Sequence, residues 1–220
     1  MNNNNRKFSR RELLQMSAGV VGLAFTGSVL GQTRFMTPEI QMGPFYPIIK
    51  PLDKDADMTT LAGHKKRAEG QVIEVVGRVL NANGAPVKNA KIEIWQANTH
   101  GRYSHGADTN TAPLDPNFQS FAVVTTDMLG RYRFKTVKPG VYPASPTWSR
   151  PPHIHMDIYG KTDRLVTQMF FPGEELNEKD SIFLSLGRDK SAALASVVPS
   201  TPEIEKGATL LNWDIVLNKG

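Results

Sequence analysis

Arg131-Tyr132-Arg133-Phe134-Lys135 sets charge against aromatic ring at every step. A period of two belongs to a strand with one face on a core and the other in water, because successive side chains leave a pleated backbone on opposite sides. Just before it, Asp127-Met128-Leu129-Gly130 reads as a tight turn with glycine where positive φ is needed. Val123 to Thr126 leads into that turn as a second β-rich run. Further out, Lys91-Ile92-Glu93-Ile94-Trp95-Gln96 repeats the alternation, and Gln71 to Leu80 is rich in Val and Ile up to the turn cluster Asn81-Ala82-Asn83-Gly84. His153 to Tyr159, Leu165 to Phe171, Ile182 to Leu184 and Thr209 to Leu217 are further strand candidates, with short helical turns at Asn177 to Asp180 and Lys190 to Val198. Many short strands punctuated by glycine and proline specify an all-β fold, a β-sandwich of mostly antiparallel strands. Residues 32–66 are rich in proline and charge and lack periodicity, so they read as an extended N-terminal arm leading into a domain over 67–220.

The formal net charge is +5, but Arg6, Lys7, Arg10 and Arg11 against Glu12 place three of those charges in residues 1–31. The remainder is nearly balanced and has no Lys/Arg stripe, so no nucleic-acid partner is expected. Ser9-Arg10-Arg11-Glu12-Leu13-Leu14, followed by the modestly apolar Met16 to Leu30, reads as a twin-arginine signal segment over residues 1–31. The expectation is export to the periplasm or beyond, with the segment either cut after Gly31 or kept as an anchor. The absence of cysteine excludes disulfide staples and thiolate metal ligands.

His153-Ile154-His155 puts two imidazoles on one face of a strand, and Arg150-Pro151-Pro152 ahead of it holds the backbone extended. A pair spaced this way serves packing as readily as ligation and names no metal by itself. Tyr103 and Tyr142 each lie just beyond a strand. A buried tyrosine ordinarily packs its ring and hydrogen-bonds its hydroxyl, but a hard trivalent ion also welcomes phenolate oxygen beside imidazole nitrogen. No acidic residue stands in an obvious third-ligand position beside the two histidines. His100 and His105 are competing candidates expected in a solvent-facing loop, and Tyr46 and Tyr132 are expected to pack.

In this order, the motifs resemble the intradiol ring-cleavage dioxygenases, most nearly the protocatechuate 3,4-dioxygenase type. The resemblance rests on Gly43-Pro44-Phe45-Tyr46, Ile92-Glu93-Ile94-Trp95-Gln96-Ala97-Asn98, Gly101-Arg102-Tyr103, Asp115-Pro116-Asn117-Phe118 and Gly130-Arg131-Tyr132-Arg133-Phe134. It continues through Lys138-Pro139-Gly140-Val141-Tyr142-Pro143, Arg150-Pro151-Pro152-His153-Ile154-His155 and Thr167-Gln168-Met169-Phe170-Phe171-Pro172-Gly173. It implies a non-haem Fe(III) ion held by Tyr103, Tyr142, His153 and His155, with Arg150 and Gln168 facing the metal's surroundings or the substrate. It implies catechol and O2 as substrates, with oxygen inserted between the two hydroxyl-bearing carbons to give a cis,cis-muconate-type diacid. Tyr142 would accept a substrate proton.

Two departures fall where this family shapes its pocket. Position 144, commonly tryptophan in the protocatechuate enzymes, is alanine, and Gln119-Ser120-Phe121-Ala122 replaces a glycine-rich run. The first implies a wider pocket unless Trp148 swings in. The long helical N-terminal extension of the catechol and hydroxyquinol enzymes is not seen, which argues against their dimer architecture; a single chain carrying all four ligands is expected to work alone or as a homo-oligomer. Two rival readings remain: a metal-free transthyretin-like or carboxypeptidase-regulatory-like binding sandwich, and a protein that merely stores iron. The export reading has its own test. Changing Arg10-Arg11 to Lys-Lys is expected to hold folded, active protein in the cytoplasm, scored by fractionation; equal export of both forms would point to the general secretory route.

Overall fold

Each alternating or β-branched stretch lies in a strand of the computed structural model, which describes residues 35–220, with one exception. The strands are β1 (Val72–Asn81), β2 (Lys91–Trp95), β3 (Phe121–Thr125), β4 (Arg131–Val137), β5 (Tyr142–Ser145), β6 (Trp148–Arg150), β7 (His153–Tyr159), β8 (Arg164–Phe170), β9 (Ser196–Val197), β10 (Thr209–Asn212) and β11 (Ile215–Leu217). The signal segment expected at 1–31 lies outside the described residues.

The exception is Ile182 to Leu184, expected as a strand and found inside a short α-helix, Ser181–Ser185. Three apolar residues in a row carry no period, so the flanking residue decides. Asp180 accepts a hydrogen bond from the Ile182 backbone N–H at 3.0 Å, and its carbonyl accepts one from Leu184 at 2.9 Å, which starts a helix. The Thr209 to Leu217 stretch divides into two strands. At the break the Trp213 N–H donates to Val76 O, the Asp214 carboxylate accepts from the Arg78 N–H, and the Trp213 carbonyl accepts from the Tyr132 hydroxyl. The β5–β6 hairpin shows no strand pattern in the sequence, since its prolines and serines disguise it.

In one sheet β1 runs antiparallel to β4 and parallel to both β10 and β11, with β9 beyond β10; in the other the order is β3-β2-β7-β8, antiparallel throughout. Ile73, Val75 and Val79 of β1 and Phe134 of β4 share one buried cluster with Ile92 and Ile94 of β2 and Ile154, Met156 and Ile158 of β7. The core therefore lies between two sheets, and the fold is the β-sandwich the alternation implied.

The outer face of the second sheet is covered as well. His153, His155 and Asp157 alternate with the core residues of β7 and are buried too. Register lines up Phe121, Trp95, His155 and Gln168 across β3, β2, β7 and β8, so these side chains share that outer face. The arm lies over it. Ile40 N–H donates to Val166 O, Thr167 hydroxyl to Pro38 O and Gln168 amide to Gln41 O, while Thr37 N–H reaches Val216 O.

The loop after β2 is built on Asn98. Its side-chain oxygen accepts from His100 and Arg102 N–H groups, and its amide donates to Pro113 O. The loop meets the approach to β5 backbone to backbone: a Cβ on Gly101, whose φ is +78°, would lie 1.9 Å from Val141 O. Gly101→Ala is therefore expected to cost on the order of 2 kcal/mol or more, through both a clash and a strained backbone. Gly173→Ala supplies the control, because φ there is +76° with nothing within 4 Å of the new methyl, and strain alone costs about 1 kcal/mol. Thermal midpoints of the two variants check this; equal losses would mean the close approach contributes nothing.

Candidate metal centre and catechol cavity

The outer face of β7 meets the loop after β2 at three atoms. Tyr103 Oη lies 3.1 Å from His153 Nε2 and 3.1 Å from His155 Nε2, and the two Nε2 atoms are 3.1 Å from each other. All three residues are buried. Tyr103 is aimed by Asp108, whose carboxylate accepts from the Tyr103 N–H at 2.7 Å. His153 Nδ1 lies 2.7 Å from Pro151 O. A carbonyl only accepts, so Nδ1 carries the proton and Nε2 presents a lone pair to the cluster. His155 stacks on Trp95 with ring centroids 5.0 Å apart, and its Nδ1 is buried without a partner.

Burial, then the Arg150 charge, push His153 down to about 3, with the Pro151 hydrogen bond opposing. Burial, then His153 and Arg150, hold His155 well below the usual imidazole range. Burial therefore favours the neutral imidazoles, and the Tyr103 hydroxyl faces the His153 lone pair and His155 Nε2. Burial raises the Tyr103 phenol above its ordinary value, Arg150 opposes it, and Tyr142 and Asp108 reinforce it. Two imidazole nitrogens and a phenol oxygen facing one another are the donor set of a cation that can displace the protons they carry. Among the described residues, no group of three His, Cys, Asp or Glu side chains converges to hold a metal ion. The two-histidine, one-carboxylate arrangement of ferrous oxygenases is thus not built among them, and phenol oxygen with imidazole nitrogen suits a hard trivalent ion.

These atoms line a cavity of about 200 Å³ with Tyr142, Ala144, Trp148, Arg150, Phe45 and Ile182. Tyr142 stands slightly apart: its ring is edge-on to Tyr103 at 5.5 Å, it is half-buried, and it makes no hydrogen bond to the trio. Burial, then the charge of Asp108, raise its phenol above the ordinary value. Arg150 is buried, with Nη1 3.2 Å from His153 Nε2 and Nη2 donating to Gln168 Oε1 at 2.9 Å. Every residue singled out in the sequence for this site is therefore in the trio, on the cavity wall or bonded to Arg150.

Of the competing residues, His100 is on the surface, 2.9 Å from Glu69. His105 differs from expectation: its ring lies 5.7 Å from Phe45 and its Nε2 is shielded from solvent. Tyr132 packs as expected, and Tyr46 packs edge-on to Trp95 while its hydroxyl donates to Glu93.

A family model described as Dioxygenase matches residues 42–219. The chain belongs to the intradiol dioxygenases. It is 46% identical over 198 residues to the protocatechuate 3,4-dioxygenase beta chain of Burkholderia cepacia, an alignment covering 85% of this chain and 83% of that one. Among solved structures, hydroxyquinol 1,2-dioxygenase from Pseudomonas putida DLL-E4 superposes with a TM-score of 0.67 at 22% identity, covering 86% of this chain and 69% of that one, which shows the shared fold. Catechol 1,2-dioxygenase from Pseudomonas arvilla C-1 matches at 27% identity and a TM-score of 0.62, covering 84% of this chain and 62% of that one. Non-haem iron is the metal this family uses.

Asp180 and Gly43 are site contributors that the sequence does not mark as such, whereas Trp148 is the residue it names as able to swing in. Asp180 bonds Arg150 but looked like part of a helical turn before a strand. Trp148 joins the wall because the β5–β6 hairpin returns it beside Ala144. The wider pocket expected from Ala144 required Trp148 to stay out, so that condition is not met. Gly43 leaves room for the trio, since a Cβ there would lie 3.2 Å from His155 Cε1.

Neutral buried imidazoles fix a pH dependence. An unfolded histidine takes up a proton near its ordinary value of about 6.5, whereas folded His153 does so at about 3. Between those values the unfolded chain binds more protons, so stability falls as pH falls. Metal-free protein is expected to lose urea stability steadily from pH 6.5 to about 3, more steeply than a His153→Phe variant. Parallel pH profiles for the two proteins would show that folding does not shift the proton uptake of His153.

Proposed function

We propose that this chain is a non-haem Fe(III) enzyme that cleaves a catechol between its two hydroxyl-bearing carbons with O2, giving a cis,cis-muconate-type diacid. The carrying observation is the meeting of Tyr103, His153 and His155 donor atoms at 3.1 Å separations on the wall of a ring-sized cavity. Tyr103, Tyr142, His153 and His155 would hold the ion. Bound there, ferric iron would supply Lewis acidity that makes both catechol hydroxyls acidic and draws electron density from the ring. Both atoms of O2 end in the two new carboxyl groups, so the reaction needs no external reductant.

The protein's own groups have separate tasks. Tyr142 Oη, on the cavity wall and bound to none of the trio, is placed to leave its position and take a proton from one catechol hydroxyl. Arg150, held by Asp180 and Gln168, keeps a fixed donor beside the region where anionic character develops. Gln168 braces Arg150 and is itself braced by Gln41 O. Phe45, Trp148 and Ile182 supply apolar walls that exclude water from the reacting ring. A metal-free binding sandwich would give three mutually facing lone-pair donors no purpose. All four proposed ligands come from one chain, so a single kind of subunit suffices, alone or as a homo-oligomer. Export by the twin-arginine route to the periplasm, after the ion is inserted, is the location proposed with this activity.

Purified protein is expected to be red-brown from phenolate-to-iron charge transfer and to carry about one ferric ion per chain, given one phenolate and imidazole donor set. Tyr103→Phe is expected to bleach or shift that band, and His153→Ala to lose the ion, read by metal analysis and visible spectra. A colourless protein that refuses ferric iron yet binds catechols would support the binding-module reading instead.

A further inference from the structure

Burial divides the cavity wall into two ends. Phe45, Tyr103, Arg150, His153 and His155 are buried, whereas the other wall residues are half-buried or exposed. Trp148, half-buried, is the largest side chain of that second group. The β5–β6 hairpin shows the same gradient along its length. Its turn, residues 145–147, is exposed; Trp148 pairs with Ser145 beside the turn, and Arg150 pairs with Tyr142 at the far end. Side chains two apart leave a strand on one side, so Arg150 reaches the cavity beside His153 and Trp148 reaches it one step nearer solvent. Ala144, also in the wall, falls where the register shifts and offers only a methyl group. The indole centroid lies 5.9 Å from the Arg150 guanidinium carbon, within cation–π reach, and Asp180 and Gln168 fix that guanidinium.

Building on the proposed dioxygenase function, we propose that Trp148 is a specificity-determining residue at the cavity mouth, limiting the bulk of the substituent on the catechol carbons para to the hydroxyls. With both hydroxyls at the end formed by Tyr103, His153 and His155, the para carbons point away from it, toward the half-buried end of the wall. A narrow substituent there lies against the indole. A wide one has to push the indole off Arg150, and overfilling a packed apolar site is penalised. The indole N–H is shielded from solvent without a hydrogen-bond partner, so packing and the Arg150 contact are what hold the ring. With the indole removed, Ala144 would leave that end open to solvent and wide enough for bulky groups.

The test compares 4-methylcatechol with 4-tert-butylcatechol, whose substituents are alike electronically and differ in width. Iron-loaded wild type is expected to favour the methyl compound in kcat/KM by about tenfold or more, the scale on which overpacking is penalised. Trp148→Ala is expected to reduce that ratio about tenfold, and Trp148→Phe to give an intermediate ratio. Trp148 stacks on none of the proposed ligands, so both variants are expected to keep the visible band of the iron-loaded protein. Wild type that cleaves both compounds equally well overturns the proposal, and so does a Trp148→Ala protein with its band intact and an unchanged ratio. Should that variant misfold, an unchanged ratio in Trp148→Phe overturns it in the same way. Failure to cleave unsubstituted catechol would instead count against the dioxygenase reading. In that event the affinities of the same two compounds, measured by calorimetry on wild type and variants, still decide the size limit.

Discussion

Strand β7 must satisfy two interiors at once, and the rest of the molecule is arranged around that demand. Ile154, Met156 and Ile158 face the sandwich core while His153, His155 and Asp157 face the other way, and all six are buried. A sandwich ordinarily leaves the outer face of each sheet wet. Here a polar outer face is buried, and each group on it needs a partner. His153 finds Pro151 O, and Asp157 takes bonds from Tyr159 and Arg164. The histidine Nε2 atoms face Tyr103 Oη, whose single proton serves one of them at a time, and there the chemistry is concentrated.

Covering that face takes contributions from distant segments. Trp95 on β2 stacks on His155, Phe170 on β8 lies parallel to His153, and the Asn98 loop delivers Tyr103 from above. The buried Arg150–Asp180 pair is the costliest element, since desolvating two charges is offset only when the geometry is good and further hydrogen bonds complete it. Gln168, His153 and the Ile182 N–H supply that completion. The pair thus trades some stability for a guanidinium of fixed orientation in a dry place.

What the sequence disclosed follows from how local each signal is. Alternation in Arg131 to Lys135 and the spacing of His153 and His155 are properties of a few consecutive residues, and both emerged as read. Motif order then connected Tyr103 and Tyr142 to those histidines across long stretches of chain. Helix Ser181–Ser185 reads as a strand in the sequence because Ile182-Phe183-Leu184 has no period and its cap, Asp180, acts through one side-chain hydrogen bond. Asp180 was hidden for a second reason: its partner lies 30 residues away, and nothing near it in the chain hints at an arginine. The place of Trp148 depended on a hairpin whose register shifts between Pro143 and Ser145. Such positions are settled by tertiary geometry.

The arm over the site carries a consequence for the order of events. Thr37, Pro38, Ile40 and Gln41 are made early, yet their partners are Val216, Thr167, Val166 and Gln168. Synthesis and closure therefore run in opposite directions: the segment that emerges first among these must wait for nearly the whole chain before it can dock. Contacts so far apart in sequence form late, after loop-closure entropy has been overcome by the nearer pairings. Until then the face bearing both imidazoles is without its lid, and the ribosome's own schedule sets how long it stays open.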